Sequence, residues 1–271
     1  AVNLDIPDDG ICSSCKTFKK FNALDDSFWK KRKNKFKQII DEHIKGNSGN
    51  YDCLIGVSGG KDSYYQAHIM AKEYNLKPLL VTYHGNNYLP EGDFNRDRMR
   101  HEFNADHIVW GPSVEVLKKL NKIAFLKMGD MNWQNHCGIF TVPSIVAVKF
   151  KIPLVIWGEI AWDISGMYDP DDFVEFSART RHEHGLRGYE RDSFIDKENG
   201  LSEKDFIWAK YPTDSEILSV GVKGLYVGNF FKWDPNLHVK LMQELYGWKP
   251  SEKQFQRTYR NFSNLDDRYE N

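Results

Sequence analysis

The stretch Leu54–Tyr65 reads "LIGVSGGKDSYY": a short apolar run, two adjacent glycines, two serines, a lysine and an aspartate. Those residue types suit one task, holding an anion at the start of a helix. Gly59 and Gly60 lack Cβ atoms, so backbone N–H groups can approach a phosphate closely. A helix beginning near Asp62 would aim unpaired N–H groups and its positive dipole end at the same point. Ser58 and Ser63 add hydroxyl donors and Lys61 adds a point charge, while Asp62 can cap the helix or help hold a magnesium ion. The spacing is not that of a Walker A loop, which needs four residues between its glycines and Gly-Lys-Ser/Thr at its end. Nor is it G-x-G-x-x-G, because the two glycines are adjacent. The plain alternative is an ordinary strand-to-helix turn with a solvated lysine.

Other groups with chemical potential are scattered. Cys12 and Cys15 have zinc-ligand spacing, but a structural zinc needs two further ligands; two unrelated thiols are an equal reading. Cys137, after His136, can be a third ligand, a sulfur carrier or core, and Cys53 reads as core. Glu159 follows an apolar run, at the strand edge where open α/β sheets bind ligands; it can orient a nucleophile, accept a proton or bind magnesium. Asp130 and Asp163 are further carboxylates in loop positions. "RTRHEHGLRGYER" places Arg179, Arg181, Arg187 and Arg191 among two histidines; it suits a diphosphate clasp or a solvated loop. Its His-Glu-His is not H-E-x-x-H, which excludes that zinc-protease pattern. Tyr83, Trp133, Trp157, Trp162 and Trp233 are candidates to stack on a base or a sugar ring, although most aromatics at element ends are packing.

The elements that would position these residues alternate. Trp29, Phe36, Ile39, Ile40 and Ile44 mark one helical stripe over 26–45, which makes "KKRKNKFK" (Lys30–Lys37) a solvated face rather than a nucleic-acid patch. Tyr51–Val57 reads as a buried strand, the segment after the glycines as a helix, and Leu79–Tyr83 as a second strand. Arg96–Phe103 reads as a helix, Asp106–Trp110 as a strand, Val114–Met128 and the region 138–150 as helices, and Leu154–Trp157 as a fourth strand. Residues 1–22 and about 161–210 show no regular period. Order returns with a strand in "KGLYVGNFF" and a helix near 236–246. The pattern predicts an α/β fold: a doubly wound, mostly parallel sheet of about five strands, with a small N-terminal Cys-x-x-Cys element and an α-rich C-terminal extension. The expected divisions are 1–25, a core with the anion-holding turn over 26–165, and a substrate-binding region over 166–271 that returns a last core strand near 224–231.

Composition bounds the partners. With 271 residues, 41% hydrophobic, 28% charged and a formal charge of −1, the chain has no global attraction to nucleic acid or anionic membrane. No apolar run approaches the ~20 residues of a membrane span. No signal peptide opens the sequence, and Ala1 in place of methionine fits a trimmed start. Four cysteines do not make a disulfide scaffold in a chain this long. Cytoplasm is the expected location.

"SGGKDS" after a buried strand resembles the signature of the ATP pyrophosphatase (PP-loop) superfamily. That resemblance implies an adenine nucleotide alpha hydrolase-like fold and cleavage of ATP between its α- and β-phosphates. It further implies transfer of AMP to a carbonyl or amide oxygen. ATP and pyrophosphate would then be held by Val57, Ser58, Gly59, Gly60, Lys61, Asp62, Ser63, Tyr83 and Gly158. Lys61, Asp62 and Glu159 would be catalytic, with Mg²⁺ on Asp62 and Zn²⁺ on Cys12 and Cys15. Further segments are similar to one branch, the N-acetyl sugar amidotransferases of bacterial surface-polysaccharide (lipopolysaccharide O-antigen) synthesis. They are "DDGICSSC", "YDCLIGVSGGKDS", "NHCGIF", "IPLVIWGE", "GNFFKWD", "YGWKP" and "TYRNFSNLDD". This branch implies conversion of an acetamido group of a nucleotide-linked sugar to an acetamidino group, with ammonia from a separate glutaminase. Arg179, Arg181, Trp162 and Asp163 would bind the sugar. The branch also carries an earlier Cys-x-x-Cys pair and a segment beyond "SNLDD" that this sequence does not show; either the sequence is trimmed, or the metal site and the far end of the active site differ. Two rivals stand beside it: a tRNA thiolation enzyme using Cys137, and a nucleotide-binding protein without catalysis.

Overall fold

The computed structural model describes residues 6–46, 49–85, 87–158, 182, 186–195, 198 and 200–252. A five-stranded sheet organises them, in the order β3-β2-β1-β4-β5 with every neighbouring pair parallel. The strands are β1 (Cys53–Gly56), β2 (Pro78–Tyr83), β3 (Asp106–Trp110), β4 (Leu154–Trp157) and β5 (Lys223–Tyr226). The helices are α1 (Ser13–Asn22), α2 (Asp26–Gly46), α3 (Lys61–His68), α4 (Pro90–Phe103), α5 (Val114–Met128), α6 (Trp133–Phe150), α7 (Asp214–Val220) and α8 (Pro235–Tyr246). A single π turn, Ile69–Glu73, prolongs α3.

Both sheet faces are buried, so the central strands are apolar throughout rather than alternating with polar residues. Side-chain alternation instead divides the core in two. Cys53, Ile55, Val57, Leu80, Leu154, Ile156 and Leu225 join Phe36 and Ile40 of α2, Ala67 of α3 and Met242 of α8 on one face. Leu54, Leu79, Val81, Tyr83, Val155, Trp157 and Tyr226 meet Leu120 and Ala124 of α5 and Cys137, Val142 and Val146 of α6 on the other. This is the doubly wound arrangement expected from the alternation of patterns.

Some differences from expectation lie at element ends, and α1 and α7 are whole helices that the sequence pattern did not announce. α4 begins at Pro90, six residues earlier than its apolar spacing suggested, because Gly92, Asn95 and Arg96 occupy buried positions on it. α6 begins at Trp133, ahead of the expected 138. The last strand stops at Tyr226, and Val227–Asn229 is a 3-10 turn. Residues 13–22, read as irregular, form α1, whose N-cap is Cys12: its sulfur accepts the Cys15 N–H at 3.4 Å.

The order of strands places the chain reversal between β1 and β4, where Leu54 pairs with Val155 and Ile55 with Ile156. Connections leave these two strands in opposite directions, and open α/β sheets bind ligands beyond the C-terminal strand ends at such a reversal. The glycine turn follows β1 and Gly158 follows β4. The fold therefore brings both segments to one edge.

Candidate active site

β1 ends in a tightly supported turn. Val57 N–H donates to Val81 O at 2.8 Å, and Ser58 N–H donates to Ser63 Oγ at 2.9 Å. Gly60 N–H reaches Ser58 Oγ at 3.3 Å, so the two serines brace the turn from inside. Gly59 has φ +90°, and a Cβ there would stand 2.7 Å from the Arg96 backbone nitrogen. Only glycine fits, for conformational and steric reasons together. Gly60 is the N-cap of α3 and brings no capping side chain. The first N–H groups of a helix have no intrahelical acceptor, and here they start at the C-terminal end of β1 together with the dipole's positive end. From the far end of the chain, Trp248 Nε1 donates to Gly59 O at 3.0 Å and clamps the turn.

Lys61 is 9% exposed, which removes the reading of a merely solvated lysine. Its Nζ lies 2.6 Å from Asp62 Oδ2, and His238 Nδ1 lies 2.9 Å from Asp62 Oδ1. Burial pushes the Asp62 carboxyl up, but the His238 hydrogen bond and the Lys61 charge outweigh it and hold the group below its ordinary value. Asp62 is thus ionised at neutral pH and shared between two donors. His238 is 1% exposed, stacked on Tyr65 with 3.8 Å between ring centroids and met edge-on by Trp233 at 4.6 Å. Its Nε2 is buried without a hydrogen-bond partner among the described residues.

Gly158 closes the other side. Its carbonyl accepts from Gly228 N–H at 3.3 Å, and a Cβ on it would run into the Gln66 amide and Trp233. The end of β4, α3 and Trp233 therefore converge at a point that admits no side chain.

Tyr83 sits differently from its expected role at a base. The ring is buried against Trp208, with centroids 5.1 Å apart, and a Cβ on Gly138 would collide with it. Its hydroxyl donates to Gln134 Oε1 at 2.5 Å. Trp133 and Trp157 are likewise core residues, whereas Trp233 lies at the His238 cage. Below the turn, Thr82 Oγ1 donates to Val57 O at 2.6 Å and lies 2.8 Å from His107 Nε2. Arg96, buried behind Gly59, pairs with Asp93 and Asp97 at 2.9 Å each and lies over Tyr88.

Of the arginine-rich segment, Arg187 pairs with Asp130 at 2.9 Å, and His136 stands 4.0 Å from the same carboxylate oxygen. Burial depresses the His136 pKa while Asp130 raises it, with a net lowering. Cys137 is fully buried, with Thr141 Oγ1 at 3.6 Å from its sulfur, so it is packed rather than presented. Glu159, Trp162, Asp163, Arg179 and Arg181 lie outside the described residues.

Asp62 is a hard oxygen donor of the kind that holds Mg²⁺ together with substrate phosphates; its Oδ1 also meets His238 and its Oδ2 meets Lys61, so a magnesium ion would share those oxygens. Zinc has a thinner case. Cys12 and Cys15 are near each other, but among the described residues no group of three or more His, Cys, Asp and Glu is placed to hold a metal. Sequence reasoning passed over His238, Trp248, Arg96 and Gln134. "GNFFKWD" and "YGWKP" flank or contain two of them, yet nothing in their spacing points to a turn nearly two hundred residues earlier.

No protein-family model matches the chain. An uncharacterized protein of Methanocaldococcus jannaschii is 31% identical over 71 residues, a match spanning 26% of this chain and 24% of that relative's length. Solved structures that resemble the chain at low identity include three enzymes or enzyme subunits. The U34-tRNA thiolase of Methanococcus maripaludis, solved with its 4Fe-4S cluster, aligns with TM-score 0.43 and 17% identity over 90% of this chain and 72% of that one. The NH3-dependent NAD synthetase of Campylobacter jejuni, in complex with nitrate, gives 0.38 and 13% over 70% and 99%. A predicted subunit of a tRNA methyltransferase from Methanocaldococcus jannaschii gives 0.35 and 13% over 79% and 83%.

Proposed function

We propose that this chain is an ATP pyrophosphatase of the PP-loop type, forming AMP and pyrophosphate, and that it converts an acetamido group of a nucleotide-linked N-acetyl sugar to an acetamidino group with ammonia. The observation that carries the first half is the buried Lys61 at the uncapped N-terminus of α3, directly after Gly59 and Gly60 at the sheet's chain reversal. The second half rests on the sequence segments similar to the sugar amidotransferases.

The chemistry follows from what an amide lacks. Its carbon resists ammonia because the nitrogen lone pair is delocalised and its oxygen leaves poorly. In the first step the amide oxygen attacks the α-phosphorus of ATP, and the bond to the bridging oxygen breaks with its electron pair leaving on pyrophosphate. Ammonia then adds to the activated carbon, AMP departs with the C–O electrons, and loss of protons leaves the amidine. Negative charge grows on the departing pyrophosphate, so fixed donors there lower the barrier. Lys61 and the first N–H groups of α3 supply them. Gly59 lets the turn pack against the Arg96 backbone, and Gly158 lets the end of β4 approach Gln66 and Trp233. Magnesium held by Asp62 would add Lewis-acid charge neutralisation at the same phosphates. Glu159 is the residue we assign to orienting ammonia or taking its proton, and Arg179, Arg181, Trp162 and Asp163 to the sugar. The sugar-nucleotide substrate and a separate glutaminase are the partners of this reading, and no helix among the described residues is long and apolar enough to cross a membrane.

The test is incubation with ATP, Mg²⁺, ammonium and a panel of nucleotide-linked N-acetyl sugars. The expected result is AMP formation with a sugar whose mass changes by replacement of O with NH. Lys61→Ala should lower turnover by about a hundredfold or more while the protein stays folded. AMP without sugar modification would remove the amidotransferase reading. Activity on tRNA lost in Cys137→Ala would favour thiolation, a route that the burial of Cys137 disfavours.

A further inference from the structure

The turn and its lysine belong to the first half of the chain, but the group that fixes Asp62 comes from α8. We propose that His238 is a positioning residue of the nucleotide site: its Nδ1–H fixes one Asp62 oxygen so that the other holds Lys61 at the mouth of the turn. This inference rests on the reading of that turn as a phosphate grip.

Three observations support it. A carboxylate only accepts hydrogen bonds, so the 2.9 Å contact with Asp62 Oδ1 makes His238 Nδ1 the donor. The remaining oxygen, Oδ2, is the one that Lys61 Nζ meets at 2.6 Å. Lys61 has four rotatable side-chain bonds and no rigid register of its own; the imidazole does. Its ring is stacked on Tyr65 and held edge-on by Trp233. Its helix is anchored by Asp234, which caps the Asn236 and Leu237 N–H groups, and by buried Met242, Tyr246 and Trp248. The third observation is an energetic one. His238 Nε2 is buried without a partner among the described residues, and an unpaired buried polar atom costs stability. An apolar ring would fill the cage without that cost, so packing alone does not account for an imidazole. The bond to Asp62 does.

His238 acts through Asp62 on Lys61, so its loss should show in the step where charge develops on pyrophosphate rather than in ATP capture. The discriminating pair is His238→Asn and His238→Gln. The asparagine amide nitrogen takes the place of Nδ1, whereas the longer glutamine puts its amide near the Nε2 position and leaves Asp62 unheld. For pyrophosphate release we expect His238→Asn within about threefold of the wild type. His238→Gln should fall by about 10- to 100-fold in kcat, with KM for ATP changed less than about threefold. Equal loss in both variants, or loss in neither, would overturn the inference. Magnesium pyrophosphate binding, followed by calorimetry on the same three proteins, separates this inference from the reading it rests on. A wild type that releases no pyrophosphate with any acceptor defeats the proposed reaction. Binding weakened about tenfold in His238→Gln and restored in His238→Asn still supports positioning, and equal binding in all three refutes it.

Discussion

Thr82 has a single hydroxyl proton, and it goes to the Val57 carbonyl at 2.6 Å. His107 Nε2, 2.8 Å from the same hydroxyl, must therefore be the donor and carry a proton. Burial, reinforced by the charges of Arg96 and Arg100, lowers the His107 pKa from 6.5 to about 4. The unfolded chain then takes up the charging proton before the folded one does, so stability falls as pH drops from about 6.5 to about 4 and does not change further below that from this group. Because His107 is partly exposed, the loss is on the order of 2 kcal/mol rather than the full value of the shift. His84 and His136, also lowered by burial, add in the same direction. Asp62 is separable. Its folded value lies below the ordinary 3.8, so its contribution is present above that pH and is lost only as pH falls through the depressed value. Urea unfolding at pH 7, 5.5 and 4 should show the wild type weakening across the series. His107→Gln, which keeps a donor for Thr82, should weaken less; an identical slope would assign the effect elsewhere.

At the scale of elements, α8 and the residues after it finish a site that β1 and α3 begin. Trp248 Nε1 holds the Gly59 carbonyl, and Asn95 exchanges two hydrogen bonds with the Lys249 backbone at 2.9 Å each. Trp248→Phe keeps most of the apolar surface but deletes the clamp, leaving a buried carbonyl short of a donor. We expect about 1–3 kcal/mol of destabilisation in urea unfolding, with a rise in the ATP KM from a looser turn. A KM unchanged alongside lost stability would make Trp248 a core residue only. The same elements show what can be read from residues alone. Buried parallel strands announce themselves as apolar runs between turn residues, as Leu79–Tyr83 and Leu154–Trp157 do. The glycine turn is equally legible, because its conformational demands are local. α4 was only half legible: its buried positions include Asn95 and Arg96, which bond to the C-terminal segment and to acids on α4 itself. Asp234 and Pro235 mark where α8 starts, but no period in it shows that His238 faces Asp62. That pairing exists only once the sheet has set α3 beside α8.

For the molecule as a whole, one sheet supplies both major cores, and α1 stands apart from them. α2 is tied to the sheet domain through Phe36 and Ile40 and through Arg32 Nε, which donates to Asn229 O at 2.8 Å. Phe21 on α1 instead forms a small cluster with Trp29, with Leu24, Phe28 and Trp233 around them. Its ring meets Trp29 edge-on at 5.5 Å. Removing residues 1–22 therefore strips one buried aromatic and part of the cover of another, without opening either main core. Burial of a Phe side chain is worth about 2 kcal/mol, and for a chain of this size each kcal/mol moves Tm by about 2–4 °C. The shortened protein should melt about 4–8 °C lower, still in one cooperative transition. Pyrophosphate release should stay within about threefold, since every residue of the turn and its α8 supports remains. The Cys12 and Cys15 thiols go with the deleted segment, so zinc content measured before and after tests that metal directly. A deletion that abolishes cooperative unfolding would show that α1 is integral to the sheet domain, and that the first 25 residues are no separate element.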